Sequence, residues 1–122
     1  MVVGARILIV EDDLDNRESL RAILDVLGHL PVVTSDGNEA LRVLQTNEVD
    51  LVITDVVMPG MNGLDFAKRA RETRPGTQIL FVTGDGDAVD KVLASGSVAL
   101  LKPYSPEKLR SVIDEALSDS SA

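Results

Sequence analysis

The sequence predicts an α/β domain in which a parallel sheet is covered by helices on both faces. Three observations lead there. Short apolar runs alternate five times with stretches whose apolar residues recur at helical spacing. The runs are apolar throughout, not alternately apolar and polar, so both faces of the sheet must be buried. A chain of 122 residues with 44% apolar content is the size of one domain with one core.

Residues 6–10 read as the first strand and 15–27 as a helix with Leu20, Ile23, Leu24 and Leu27 on one face. Asp15 followed by Glu18 suits a capping box at its start, and Gly28 stops it. His29 then falls in a loop, where a lone histidine is expected to be solvated. Residues 31–35 give a second, shorter strand, and 37–46 a helix carrying Ala40, Leu41, Val43 and Leu44. The third strand is 50–54, followed by a helix over 63–73 with Leu64, Ala67 and Ala70 inward and Pro75-Gly76 beyond it. The fourth strand is 78–82. The fourth helix is short, roughly 87–94, opened by Gly84-Asp85-Gly86 and closed by Ser95-Gly96-Ser97, and its glycines predict mobility. The fifth strand is 98–101. Ser105 and Pro106 fit the N-cap and first position of a last helix that buries Leu109, Val112, Ile113, Ala116 and Leu117. The domain spans 5–118, and 119–122 form a frayed tail.

Composition removes several classes of function. Twenty acidic against 12 basic side chains give a net charge of −8, and no basic stripe accompanies the two Phe and one Tyr, so direct nucleic-acid binding is not expected. With no cysteine, there is no disulfide framework, zinc-thiolate site or thiol nucleophile. No apolar stretch is long enough to span a bilayer, and the first residues run into a strand with no signal-peptide layout. A cytoplasmic location with no membrane contact is expected.

Four of the five strands end in a polar group. The first runs into Glu11, Asp12 and Asp13, the third into Asp55, the fourth into Thr83 and the fifth into Lys102-Pro103. In an open parallel sheet the strand C-termini share one edge, where ligands bind. Glu11, Asp12 and Asp55 cannot crowd together ionised unless a cation joins them, and hard oxygen donors suit Mg²⁺. Asp13, furthest toward the helix, reads as a helix-capping acid. A carboxylate such as Asp55 can attack phosphorus and form an acyl phosphate. The transferred group then needs its oxygens neutralised, and Mg²⁺, the Lys102 ammonium and the Thr83 hydroxyl supply one candidate each. The Lys102-Pro103 bond is a candidate cis peptide.

The segments Ile9-Val10-Glu11-Asp12-Asp13, Thr54-Asp55-Val56-Val57-Met58-Pro59-Gly60-Met61-Asn62-Gly63, Val82-Thr83-Gly84 and Lys102-Pro103-Tyr104 resemble the four signature blocks of response-regulator receiver domains. These are the phosphoacceptor modules of two-component signalling. The resemblance covers nearly the whole chain, with the blocks in the right order on the right elements. It implies a flavodoxin-like (βα)5 three-layer sandwich with sheet order 2-1-3-4-5. It implies that Asp55 receives a phosphoryl group from a sensor histidine kinase or a histidine phosphotransfer protein. Asp12, Asp55 and the Val57 backbone carbonyl would ligate Mg²⁺, Glu11 would act through water, and Thr83 and Lys102 would hold the phosphoryl oxygens. Phosphorylation would alter partner binding on the face formed by helix 4, strand 5 and helix 5. Such a module catalyses only its own phosphorylation and dephosphorylation.

The chain departs from the family in two places. Ala99 stands where most receivers carry a switching Tyr or Phe, and the stretch from Thr83 to Lys102 is short by about one helical turn. Tyr104 is expected to pack, not to switch. The resemblance implies that Val57 and Asp85 would flank the path of an attacking water, which makes them candidates for setting the lifetime of the modification. The Phe81-Val82-Thr83-Gly84 and Leu101-Lys102-Pro103-Tyr104 segments look like those of receivers attached to hybrid kinases or standing alone, and no output domain is expected within the chain. Three rivals are weaker. An aspartyl phosphatase would need an acid two residues after Asp55, where Val57 stands. A degenerate, binding-only receiver would not keep Asp12, Asp55, Thr83 and Lys102. A flavin or nucleotide binder would carry a glycine-rich loop where Glu11-Asp12-Asp13 lies.

Overall fold

The structure is a computed structural model and describes residues 2–119. The elements follow one another as β1 (Arg6–Val10), α1 (Leu14–Val26), β2 (Leu30–Thr34), α2 (Gly37–Thr46), β3 (Leu51–Asp55), α3 (Gly63–Thr73), β4 (Ile79–Thr83), α4 (Gly86–Ala94), β5 (Val98–Leu101) and α5 (Pro106–Asp119). The five strands form one sheet in the order β2-β1-β3-β4-β5, parallel at every pairing. The tail expected to fray lies outside the described residues beyond Asp119, which ends α5.

Alternation along each strand divides the core into two layers. Leu8, Val10, Val52 and Phe81 meet Ala40 and Leu44 of α2, Phe66, Ala67 and Ala70 of α3, and Ala88 and Val92 of α4. On the opposite face Ile7, Ile9, Ile53, Leu80 and Leu100 meet Leu20 and Leu24 of α1 and Leu109, Ile113 and Leu117 of α5. Each fully buried Leu, Ile or Phe contributes about 1.5–3 kcal/mol by leaving water. Alanines on α2 and α3 bring those helices close to the sheet.

Several boundaries differ from expectation. Strands β2, β3 and β4 each lie one residue away from their expected positions. For β3 the shift matters, because Asp55 still pairs with Val82 and is therefore the last residue of a strand, not the first of a loop. Helix α1 starts at Leu14, with Asp13 as its cap accepting from the Asn16 N–H at 2.8 Å. The expected Asp15–Glu18 box does not cap it, since Asp15 is already inside the first turn and Glu18 pairs with Arg21 at 2.8 Å. Gly28 takes φ 85°, the left-handed turn that ends the helix. Asp85 caps the short, nine-residue α4, and the Ser105 hydroxyl accepts from the Lys108 N–H at 3.0 Å in the first turn of α5.

His29 is a correction. It sits in a loop as expected but is buried, with Nδ1 accepting the Ala5 N–H at 3.2 Å. Burial pushes its pKa below the ordinary histidine value, against the pull of Asp114 and Asp50. No helix among the described residues is long and apolar enough to cross a membrane.

Candidate functional site

Register brings the strand ends together. Val10 pairs with Thr54, so Glu11 emerges beside Asp55. Asp55 pairs with Val82, and Thr83 with Leu101, so Thr83 and Lys102 leave their strands at the same edge. The Lys102 N–H donates to the Thr83 carbonyl at 2.8 Å, and the Lys102-Pro103 peptide is cis.

Glu11, Asp12 and Asp55 each offer a carboxylate oxygen, and these oxygens lie within 4.8 Å of one another. Lys102 reaches into the group, with Nζ 3.1 Å from Asp55 Oδ2 and 3.4 Å from Glu11 Oε1. The other Asp55 oxygen, Oδ1, accepts the Val57 N–H at 3.2 Å. Asp12 is exposed, Asp55 half-buried and Glu11 buried. Among the described residues, buried Glu11 Oε2 has no hydrogen-bond partner.

Electrostatics follow from this crowding. Burial raises the Glu11 pKa, the Lys102 ammonium draws it down, and the Asp55 charge raises it again; the net position is above the ordinary carboxylate value. Burial works against the Lys102 charge, but the bond to Asp55 and the field of both acids hold its pKa above the ordinary lysine value. Lys102 therefore stays an ammonium at neutral pH.

Contacts on both sides fix the backbone at Asp55. The Gly63 N–H donates to the Val56 carbonyl at 2.8 Å, and a side chain at Gly63 would collide with the Asp55 carbonyl oxygen. Asn62 caps α3 by accepting the Asp65 N–H at 2.9 Å, which anchors the far end of the loop. The Thr54 hydroxyl donates to the Asp55 carbonyl at 3.0 Å. Thr83 is buried, and its Oγ accepts the Asp85 N–H at 3.2 Å, tying it to the residue that caps α4.

Beneath the carboxylates lies a cavity of about 460 Å³ between the sheet and α1, reaching from Glu11, Asp55 and Lys102 to Leu20, Ile23 and Tyr104. Tyr104 packs against the α1–α5 core layer, and burial lifts its phenol pKa. Ala99, with no ring, is the register partner of Phe81 on β4. Val57 is exposed at the rim.

Glu11, Asp12, Asp55 and Lys102 meet at this edge, where β4 also ends in Thr83, while Asp13 caps α1. Sequence reasoning did not assign Arg17, whose guanidinium turns back from α1 onto the carbonyls of Glu11 and Asp12. The available signal was a basic residue one turn into the helix that follows the acidic loop.

The sequence model of the response regulator receiver domain matches residues 7–114. The aerobic respiration control protein ArcA of Escherichia coli strain K12 is 37% identical over 106 residues, which cover 84% of this chain and 44% of ArcA. The DNA-binding response regulator MtrA of Mycobacterium tuberculosis strain H37Rv is 37% identical over 107 residues, covering 85% of this chain and 46% of MtrA. The chain thus spans less than half the length of these curated relatives. Among solved structures, the chemotaxis response regulator CheY4 of Vibrio cholerae superposes with a TM-score of 0.84 at 31% identity, over 94% of this chain and 100% of that one.

Proposed function

The chain belongs to the response regulator receiver family of two-component systems, and from that premise we propose that Asp55 accepts a phosphoryl group from a phosphohistidine donor and that the modification alters partner binding. The observation that carries this reading is the Lys102 ammonium held 3.1 Å from Asp55 within the three-carboxylate cluster.

The residues fit a divalent cation. Hard oxygen donors converge from two strand ends, and buried Glu11 Oε2 lacks a partner. Asp12, Asp55 and the Val57 carbonyl would hold Mg²⁺ directly and Glu11 through water. When bound, Mg²⁺ supplies positive charge to a phosphoryl oxygen.

An Asp55 carboxylate oxygen forms the new P–O bond as the P–N bond to the donor imidazole breaks. The electron pair stays on that nitrogen, which takes up a proton. Lys102 shifts from the carboxylate to one phosphoryl oxygen, and the Thr83 hydroxyl donates to another. Hydrolysis later reverses the modification by attack of water on phosphorus. The donor is a sensor histidine kinase or a histidine phosphotransfer protein, and the domain turns over nothing but its own modification.

Thr83 also supports a route to output without an aromatic at position 99. Rotating its Oγ toward the phosphoryl group gives up the Asp85 N–H, the amide of the residue that caps α4. The α4–β5–α5 face, with exposed Leu93, Val98 and Leu101, is the surface whose partner binding would then change. The net charge of −8 argues that this domain does not itself touch nucleic acid, and the expected setting is the cytoplasm.

Incubation with Mg²⁺ and acetyl phosphate tests the chemistry by intact mass. The wild type gains one phosphoryl group and Asp55→Asn gains none. An adduct on both proteins, or on neither, overturns the assignment.

A further inference from the structure

Arg17 sits in the second turn of α1, where its backbone N–H donates to the Asp13 carbonyl at 2.9 Å. Its side chain does not leave for solvent. Nη1 donates to the Glu11 carbonyl at 3.0 Å and lies 3.5 Å from the Asp12 carbonyl. The first is a well-formed charge-assisted hydrogen bond; the second is long and mainly electrostatic. One nitrogen thus draws two successive carbonyls of the β1–α1 loop toward the helix. The chain bends at Asp12, and fixing the directions of these two carbonyls fixes where the neighbouring side chains project. Here the side chains of Glu11 and Asp12 project toward Asp55. Among the loop's other anchors are the Glu11 N–H on the Thr34 carbonyl at 3.2 Å and the Asp13 cap on the Asn16 N–H at 2.8 Å. Neither of these holds the two carbonyls.

We infer that Arg17 is a positioning residue for the cation site, holding the Glu11-Asp12 backbone so that both carboxylates face Asp55 before a cation arrives. The inference rests on the proposed function, because it concerns Mg²⁺ affinity. It makes a prediction whose sign separates positioning from simple charge. Removing a positive group near a divalent cation strengthens cation binding if only charge acts. Removing a support that pre-forms the ligand set weakens it, typically by ten-fold or more.

The test is Mg²⁺ titration of the apo protein by calorimetry, with Arg17→Met and Arg17→Lys beside the wild type. Met keeps the apolar stem without the donors; Lys keeps the charge on a compact ammonium that lacks the fixed N–H directions of the guanidinium. The expected result is a Kd about ten-fold weaker for Met and an intermediate value for Lys. Phosphorylation from acetyl phosphate should need more Mg²⁺ in both variants and reach the wild-type rate once Mg²⁺ saturates. Unchanged or tighter Mg²⁺ binding in Arg17→Met overturns the inference. Hydrogen exchange without metal provides the separate arm. Positioning predicts faster exchange at residues 11–13 in Arg17→Met, with the sheet unaffected; unchanged exchange at those residues also overturns it. A wild type that binds no Mg²⁺ would instead refute the cation site itself, and the exchange result would still show whether Arg17 orders the loop.

Discussion

The two edges of the sheet each bury one titratable side chain, and they treat it differently. Glu11 at the C-terminal edge is 5% exposed and His29 at the N-terminal edge is 3% exposed. Each has a buried polar atom without a partner, Glu11 Oε2 and His29 Nε2. At the lower edge His29 accepts a backbone amide, and burial favours its neutral form, so the group serves packing. At the upper edge burial also raises the Glu11 pKa, but Glu11 shares an ammonium with Asp55 and stands among other carboxylates, and a donor is still wanted. An unsatisfied buried polar group costs about 1–3 kcal/mol, more when charged. Equal burial therefore does not mean equal purpose. The informative difference is whether the group's close partner is a backbone amide or other charged side chains.

The sharpest break in this contrast is expected from Lys102→Met. Loss of the ammonium should slow phosphorylation from acetyl phosphate by about 100-fold, as for removal of one donor to a developing anion. A mass-spectrometric time course would read it. A wild-type rate would make Lys102 as structural as His29. Next comes Gly63→Ala, whose added methyl meets the Asp55 carbonyl and the Val56 backbone. Overpacking of that kind costs about 1–3 kcal/mol, read as a lower urea midpoint. Gly84→Ala, with nothing near the added carbon and no positive φ, serves as the neutral control.

The smallest effect belongs to the lower edge. The folded pKa of His29 lies below its ordinary value of 6.5, so below pH 6.5 the unfolded chain binds the proton more readily. The stability this group contributes is whole above pH 6.5 and falls as the pH drops through the folded pKa. The slope cannot exceed one proton, about 1.4 kcal/mol per pH unit. Urea midpoints of the wild type should fall between pH 6.5 and 5.5, and those of His29→Gln should stay flatter. Equal slopes would mean that His29 titrates as if solvated.

Much of this was legible in the residues, and what was not has a common cause. Apolar periodicity set five strands and five helices, because parallel strands buried on both faces leave a strong local signal. The strand ends exposed Asp55, Thr83 and Lys102 because a polar group that closes an apolar run must face an edge. Ser105 with Pro106, and Asp13 as a capping acid, were readable because capping is local. Asp15 with Glu18 looked like a better box, but Asp13 took the cap two residues earlier. His29 was misjudged because its burial depends on Ala5, 24 residues away. Arg17 went unassigned because its partners are backbone carbonyls, which leave no mark on composition. The site chemistry was written in side chains; its scaffolding was written in tertiary hydrogen bonds.

On the proposed function the carboxylate of Asp55, and no other, forms the acyl phosphate. Borohydride reduction of the phosphorylated protein, followed by peptide mapping, tests it directly, because reduction converts an aspartyl phosphate to homoserine. The expected product is homoserine at position 55 alone. Homoserine at Asp12 or elsewhere, with Asp55 unchanged, would contradict it.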